Sequence, residues 1–187
     1  MARRKMPKGL ELWKPAYHTV LFDGVPMWRA QAWALFDYRI HGGHVIVNSG
    51  IRRESIVKSW RRKGLRSGYK SQFQLWEGFN KGFPGFMPAN PPGFSSHEGY
   101  ADGVAVFHRE DGSRAPRGAE IVKFEWGLDA VDKLGGDARR LTAWLNLHGY
   151  HAVRPYAAPS ERHHLCFRKS PAANARKRLA RWIATGR

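Results

Sequence analysis

Pro91-Pro92-Gly93-Phe94-Ser95-Ser96-His97-Glu98-Gly99-Tyr100-Ala101-Asp102 is the stretch on which the reading of this chain turns. It has a counterpart further along, Glu161-Arg162-His163-His164. The two stretches offer imidazoles, a carboxylate near the first imidazole, and a separate glutamate just before the second. Two histidines and one carboxylate make a three-ligand zinc site whose fourth position stays open to water, and a further glutamate can then move protons. Strand geometry constrains the set. His97 and Asp102 are an odd separation apart, so on a strand they converge only across a bend or bulge, which Gly99 and Gly103 permit. His163 and His164 are adjacent and on a strand point to opposite faces, so only one of them joins a given site.

Around these stretches the chain reads as helices first and a sheet later. Residues 1–25 are basic, then mixed, and broken by Pro7 and Pro15; they read as an extended arm or edge strand. Residues 27–41 read as a helix, with Pro26 suited to its first turn and Gly42-Gly43 stopping it. Residues 44–48 read as a short strand. Residues 52–81 read as two helices broken between Gly64 and Gly68, the first of them strongly basic. Residues 82–94, with Phe83, Phe86 and Phe94 among Gly and Pro, read as an ordered surface loop. Strand candidates are 103–108 and 121–126. A helix follows over 136–148, then strands over 151–156 and 163–168 joined by a turn, then a C-terminal helix over 171–185. This order gives an α+β class, an antiparallel sheet flanked by helices.

At 187 residues, 42% hydrophobic with 8 Trp, the chain suits one domain with one core. No apolar run is long enough to span a membrane. The basic start Met1-Ala2-Arg3-Arg4-Lys5 is not followed by an apolar stretch, so no signal peptide is expected. The single cysteine, Cys166, excludes an internal disulfide. A formal net charge of +17 points to a polyanionic partner: nucleic acid, anionic lipid or an anionic bacterial wall.

From Ser49 to Phe167 the chain resembles the zinc peptidases of the D-Ala-D-Ala carboxypeptidase and L-Ala-D-Glu endopeptidase superfamily, which includes vancomycin-resistance dipeptidases and many phage endolysins. The resemblance lies in Ser49-Gly50-Ile51-Arg52, in Pro92-Gly93-Phe94-Ser95-Ser96-His97 leading to Asp102, and in Glu161-Arg162-His163-His164. Trp126-Gly127-Leu128-Asp129 and the run from Pro155-Tyr156 to Phe167 add to it. The central motif is shortened. The usual Ser-x-His-x-x-Gly-x-Ala-x-Asp would put its Asp at position 104, which is Val here, so Asp102 is the nearby carboxylate and Glu98 its substitute.

The resemblance implies a zinc peptidase fold of the DD-peptidase and hedgehog kind over residues 1–170, with 1–25 as a basic arm. It implies one zinc held by His97, Asp102 and His164, with His164 selected over His163 by the Glu-x-x-His pattern. Glu161 would be the proton carrier, Arg52 would stabilise the oxyanion or orient substrate, and Ser95 would hydrogen-bond near the site. The implied activity is hydrolysis of a peptide bond in the stem or cross-link of peptidoglycan, as endopeptidase or carboxypeptidase. The implied setting is a monomeric phage endolysin acting at the wall after holin release or as a virion component. Residues 171–187 then read as a basic amphipathic tail able to touch anionic wall polymers or membrane. A catalytically inactive wall-binding relative and a basic nucleic-acid-binding protein are the alternative readings, although no specific nucleic-acid motif is present.

Overall fold

The computed structural model describes residues 4–93, 95–98, 125–154, 159 and 162–187. The chain opens with a hairpin. Strand β1 (Thr19–Phe22) pairs antiparallel with β2 (Val25–Trp28). Asp23 and Gly24 between them both have positive φ, 51° and 72°, the twist that two-residue hairpin turns require. This hairpin takes the first residues of the helix expected from 27. Pro26 sits on β2 opposite Leu21 rather than in a first helical turn, a strand position it tolerates because it owes no hydrogen bond there.

Helix α1 (Arg29–Ile40) follows directly and is buried almost all round, with Trp33, Ala34 and Leu35 fully enclosed. A helix buried on nearly every side, its polar Arg29, Gln31 and Asp37 included, belongs in the middle of a fold. Here it lies against the hairpin, the sheet, α4 (Arg139–Leu147) and α5 (Ala172–Thr185). Helices α2 (Glu54–Arg61) and α3 (Gln72–Asn80) are separated by a loop with Gly64 and Gly68 at positive φ, as the glycine break implied. Ser71 caps α3, accepting from Gln74 N at 3.3 Å while the Gln74 side chain accepts from Ser71 N at 3.1 Å.

The main sheet has four antiparallel strands in the order β3 (Val45–Ser49), β4 (Glu125–Asp132), β6 (His164–Phe167), β5 (Ala152–Val153). The architecture is α+β, antiparallel sheets flanked by helices. One face of the large sheet feeds the core through Val45, Val47, Leu128, Ala130, Leu165 and Phe167. The other face carries Asp129, His164 and Cys166. Alternation along the strands separates the two sets, and the register decides which residues meet: Leu128 pairs with Leu165, and Asp129 with His164. The β3–β4 pairing slips between Val47 and Ser49, so Ser49 pairs with Asp129. That bulge moves Ser49 from the core face to the face of Asp129 and His164.

The C-terminal helix expected over 171–185 is α5. It packs on α1 through Ala175 and Leu179, both fully buried, and Trp182 meets Phe36 edge-on at 5.9 Å. The strand expected over 103–108 lies outside the described residues. No helix among the described residues is long and apolar enough to cross a membrane.

Candidate metal centre

Three segments distant in sequence meet on the polar face of the sheet. Asp129 and His164 stand side by side on β4 and β6. His97 comes from a single 3-10 turn, Ser96–Glu98, laid across β4. The turn is fixed from below, because Arg52 N donates to His97 O at 2.8 Å. It approaches so closely that a Cβ on Gly127 would fall 2.2 Å from Ser96 Oγ and 2.8 Å from Ser96 Cβ. Glycine at 127 is therefore a steric requirement of the site.

The three functional atoms form a triangle. His97 Nε2 is 3.2 Å from Asp129 Oδ1, His164 Nδ1 is 2.9 Å from the same oxygen, and the two nitrogens are 3.2 Å apart. A tetrahedral ion with bonds of about 2.0–2.2 Å spaces its ligand atoms by roughly 3.3–3.6 Å. The triangle is thus nearly the size a zinc ion needs, and all three side chains are at least nine-tenths buried.

Each ligand is also held through its other polar atom. His97 Nδ1 lies 2.8 Å from Gly50 O, a carbonyl that can only accept, so Nδ1 carries the hydrogen and Nε2 presents its lone pair to the triangle. His164 Nε2 meets Ser96 Oγ at 3.1 Å and Cys166 Sγ at 3.3 Å. Asp129 Oδ2 accepts from Arg52 Nη2 at 2.6 Å, and Arg52 Nε donates to Ser49 Oγ at 2.7 Å. Outer partners of this kind fix tautomer and ring orientation at metal sites. Donor chemistry, spacing and outer shell all fit a zinc ion at these three residues.

Electrostatics point the same way. Burial alone would raise the Asp129 carboxyl, but His97, the His164 hydrogen bond and Arg52 together hold it well below the usual carboxylate range. Burial, reinforced by the Arg52 charge, pushes His97 down to about 4. Burial works against protonation of His164 too, yet its hydrogen bonds with Asp129 and Cys166 push it up to about 9. Of the two neighbouring rings, only His164 is thereby favoured with the extra proton of the charged form. A divalent cation in the triangle would replace that proton with two positive charges facing an ionised carboxylate.

The structure brings together two of the three ligands read from sequence, His97 and His164. Asp102 and Glu161 lie outside the described residues, as does Phe94. Among the described residues the carboxylate between the imidazoles is Asp129, which sequence reasoning noted in Trp126-Gly127-Leu128-Asp129 without a role. Glu98, the substitute carboxylate, is not in the triangle; its Oε2 accepts from Gly93 N at 2.7 Å, which ties the turn to the Pro-Gly loop. Ser95 also serves the turn, accepting from His97 N at 3.3 Å, and its neighbour Ser96 is the serine beside the imidazole. Arg52 reaches the site through Asp129. His163 is the more exposed neighbour, with Nε2 3.9 Å from Asp129 Oδ1. Phe86 packs over Gly78 of α3, which anchors the 82–94 loop to that helix.

No family model and no curated protein matches the chain. Among solved structures, VanYB in complex with D-alanine-D-alanine is similar at 16% identity, over 93% of this chain and 86% of that one, with a TM-score of 0.38. A likeness at that level assigns no function.

Proposed function

We propose that the protein is a single-zinc metallopeptidase that hydrolyses a peptide bond in the stem or cross-link of bacterial peptidoglycan. The observation that carries the reading is the buried triangle of His97 Nε2, Asp129 Oδ1 and His164 Nδ1, with every ligand tied from behind. The Ser-Gly-x-Arg, Ser-x-His and Glu-x-x-His stretches supply the substrate class. In this assignment Asp129, not Asp102, completes the ligand set. The setting that fits is a phage endolysin working at the wall.

Zinc held there supplies Lewis acidity, which makes water a nucleophile near neutral pH and polarises a carbonyl. Arg52 occupies Asp129 Oδ2 and so leaves Oδ1 for the ion. Gly50 keeps His97 in the tautomer that offers Nε2. Glu161, three residues before the ligand His164, takes a proton from the attacking water and delivers it to the leaving amine.

Metal content and hydrolysis test the reading together. Purified, desalted protein should carry about one zinc per chain, and Asp129→Ala or His164→Ala should lose it. Glu161→Gln should keep the zinc and cut purified peptidoglycan at least about a hundredfold more slowly. Protein that takes up no zinc even when it is supplied would remove the proposal. A fully active Glu161→Gln protein would remove Glu161 from it.

A further inference from the structure

Away from the metal triangle, the loop between α2 and α3 encloses a recess of about 340 Å3 lined by Arg61, Leu65, Arg66, Lys70 and Gln74, with Tyr69 at its wall. Its surroundings are strongly cationic: Arg62 and Lys63 continue the run. The acids of the flanking helices are already engaged, Glu54 with Lys58 and Glu77 with Lys81, each pair at 2.8 Å. Among the described residues, none of Arg61, Arg62, Lys63, Arg66 and Lys70 has an ion-pair partner. An uncompensated cluster around a concave surface concentrates positive potential there. Gln74, in the first turn of α3, also lines the recess, so the positive end of that helix adds to the field.

The loop is built rather than loose. Gly64 and Gly68 take positive φ, 89° and 81°, with open space where a Cβ would lie, so they serve the loop's path and not its packing. Arg66 is held at both ends: its N donates to Gly24 O at 3.2 Å and its Nη2 to Asn48 O at 2.7 Å. Tyr69 OH donates to Ile51 O at 2.8 Å and accepts from Gly50 N at 3.0 Å. Gly50 is the residue whose carbonyl orients His97, so recess and metal centre share one turn of chain.

We propose that this recess is a docking site for a polyol-phosphate polymer of the bacterial wall, holding its phosphodiesters on Arg61, Arg66 and Lys70. The choice of a wall polymer rests on the proposed peptidase function; the anionic, phosphate-bearing character of the ligand rests on the recess alone. The Tyr69 phenol is committed inward to the Gly50–Ile51 backbone, and the other lining residues are not aromatic. The nearby rings, Trp60 and Phe86, lie under Lys63 and Lys70, so neither lines the recess as the stacking platform that single-stranded nucleic acids use. A polymer seated there would be anchored beside the Ser49–Arg52 turn, whose Gly50 and Arg52 hold His97 and Asp129.

The test is binding of purified poly(glycerol phosphate) to the full-length protein, followed across a salt series. The loop variant Arg61→Gln/Arg66→Gln/Lys70→Gln is compared with an α5 variant of equal charge loss, Lys177→Gln/Arg181→Gln on the helix together with Arg187→Gln just past its end. We expect the loop variant to bind about tenfold or more weakly with a shallower salt dependence, and the α5 variant to bind within about twofold of the parent. Equal loss in both variants would mean diffuse charge attraction and overturn the site. Single-stranded DNA binding tighter than poly(glycerol phosphate), with the same loop sensitivity, would overturn the wall-polymer assignment. Arg61→Gln alone, which spares the Arg66 tethers, guards against a merely misfolded loop and should still weaken binding measurably. Zinc content read on every variant separates this result from the peptidase reading: a protein without zinc that binds the polymer fails only the latter.

Discussion

Gly127 is the residue with the least room in the candidate site. A methyl group there would meet Ser96 Cβ at 2.8 Å and His164 Cε1 at 3.1 Å. The serine hydroxyl can rotate away, but its Cβ cannot, and His164 is pinned by Asp129 and Cys166. Gly127→Ala should therefore lift the Ser96–Glu98 turn off β4 and drag His97 out of the triangle. Overpacking of this kind costs about 1–3 kcal/mol. Thermal melting and zinc stoichiometry together check it: a lower Tm and weakened zinc retention are expected. An alanine variant with parental Tm and a full complement of zinc would show that the turn has slack. The same crowding explains what was legible at this scale. The two histidines of the triangle were reached through stretches that resemble a known family, with His164 chosen over His163 by the Glu-x-x-His pattern. Asp129 could not, since nothing within its own stretch pairs it with His164. Only the β4–β6 register does that, and register is a property of two strands. Asp102 came from the shortened Ser-x-His motif and lies outside the described residues.

Elements were easier to read than their boundaries. The glycine break between α2 and α3, the helix at α4 and the helix at α5 all follow from periodicity and punctuation within one segment. The start of α1 did not, because Val25–Trp28 is drawn into a hairpin by Thr19–Phe22 across Asp23-Gly24. A residue with good helical neighbours goes to the strand when a partner strand stands opposite. The bulge at Ser49 was equally invisible, although it decides that Ser49 meets Arg52 and Asp129. Helix α5 shows how tertiary contacts settle an ambiguous amphipathic pattern. Its apolar residues face α1, Arg178 reaches the buried Asp37, and Asn174 Nδ2 donates to His148 O at 2.6 Å. Leu179→Ala should create a cavity on α1 and destabilise the protein by about 2–5 kcal/mol. Zinc binding should persist below the new melting temperature, because α5 supplies no ligand to the triangle. Denaturant unfolding with parallel metal analysis measures both. A loss of stability well under about 1 kcal/mol would contradict the packing role of α5.

At the scale of the whole molecule, the core is stitched by polar ties as well as by apolar burial, and these ties give the protein a pH limit. Tyr38 on α1 donates its hydroxyl to Asp132 at the end of β4. Tyr150, just after α4, donates to Asp37 on α1 at 2.7 Å. Both rings are almost fully enclosed. Burial first, and then the adjacent carboxylate, pushes the Tyr38 phenol up to about 12, and the same two causes raise Tyr150 strongly. In the unfolded chain both phenols titrate near pH 10, at about the ordinary tyrosine value. A group whose folded value is raised contributes stability that is complete below the unfolded value and is lost as pH climbs through the folded one. The melting temperature should therefore be insensitive to these two groups up to about pH 10 and fall steeply above it, with the Tyr38 contribution lost by about pH 12. Tyrosinate absorbance from the two residues should lag behind that of the exposed Tyr17 and appear with unfolding. Tyr38→Phe removes one titrating group, so its alkaline fall should be shallower even though its stability at neutral pH is lower for want of the Asp132 hydrogen bond. Early, reversible ionisation of all six tyrosines in the folded protein would mean that α1 is not clamped between β4 and Tyr150 as the structure places it.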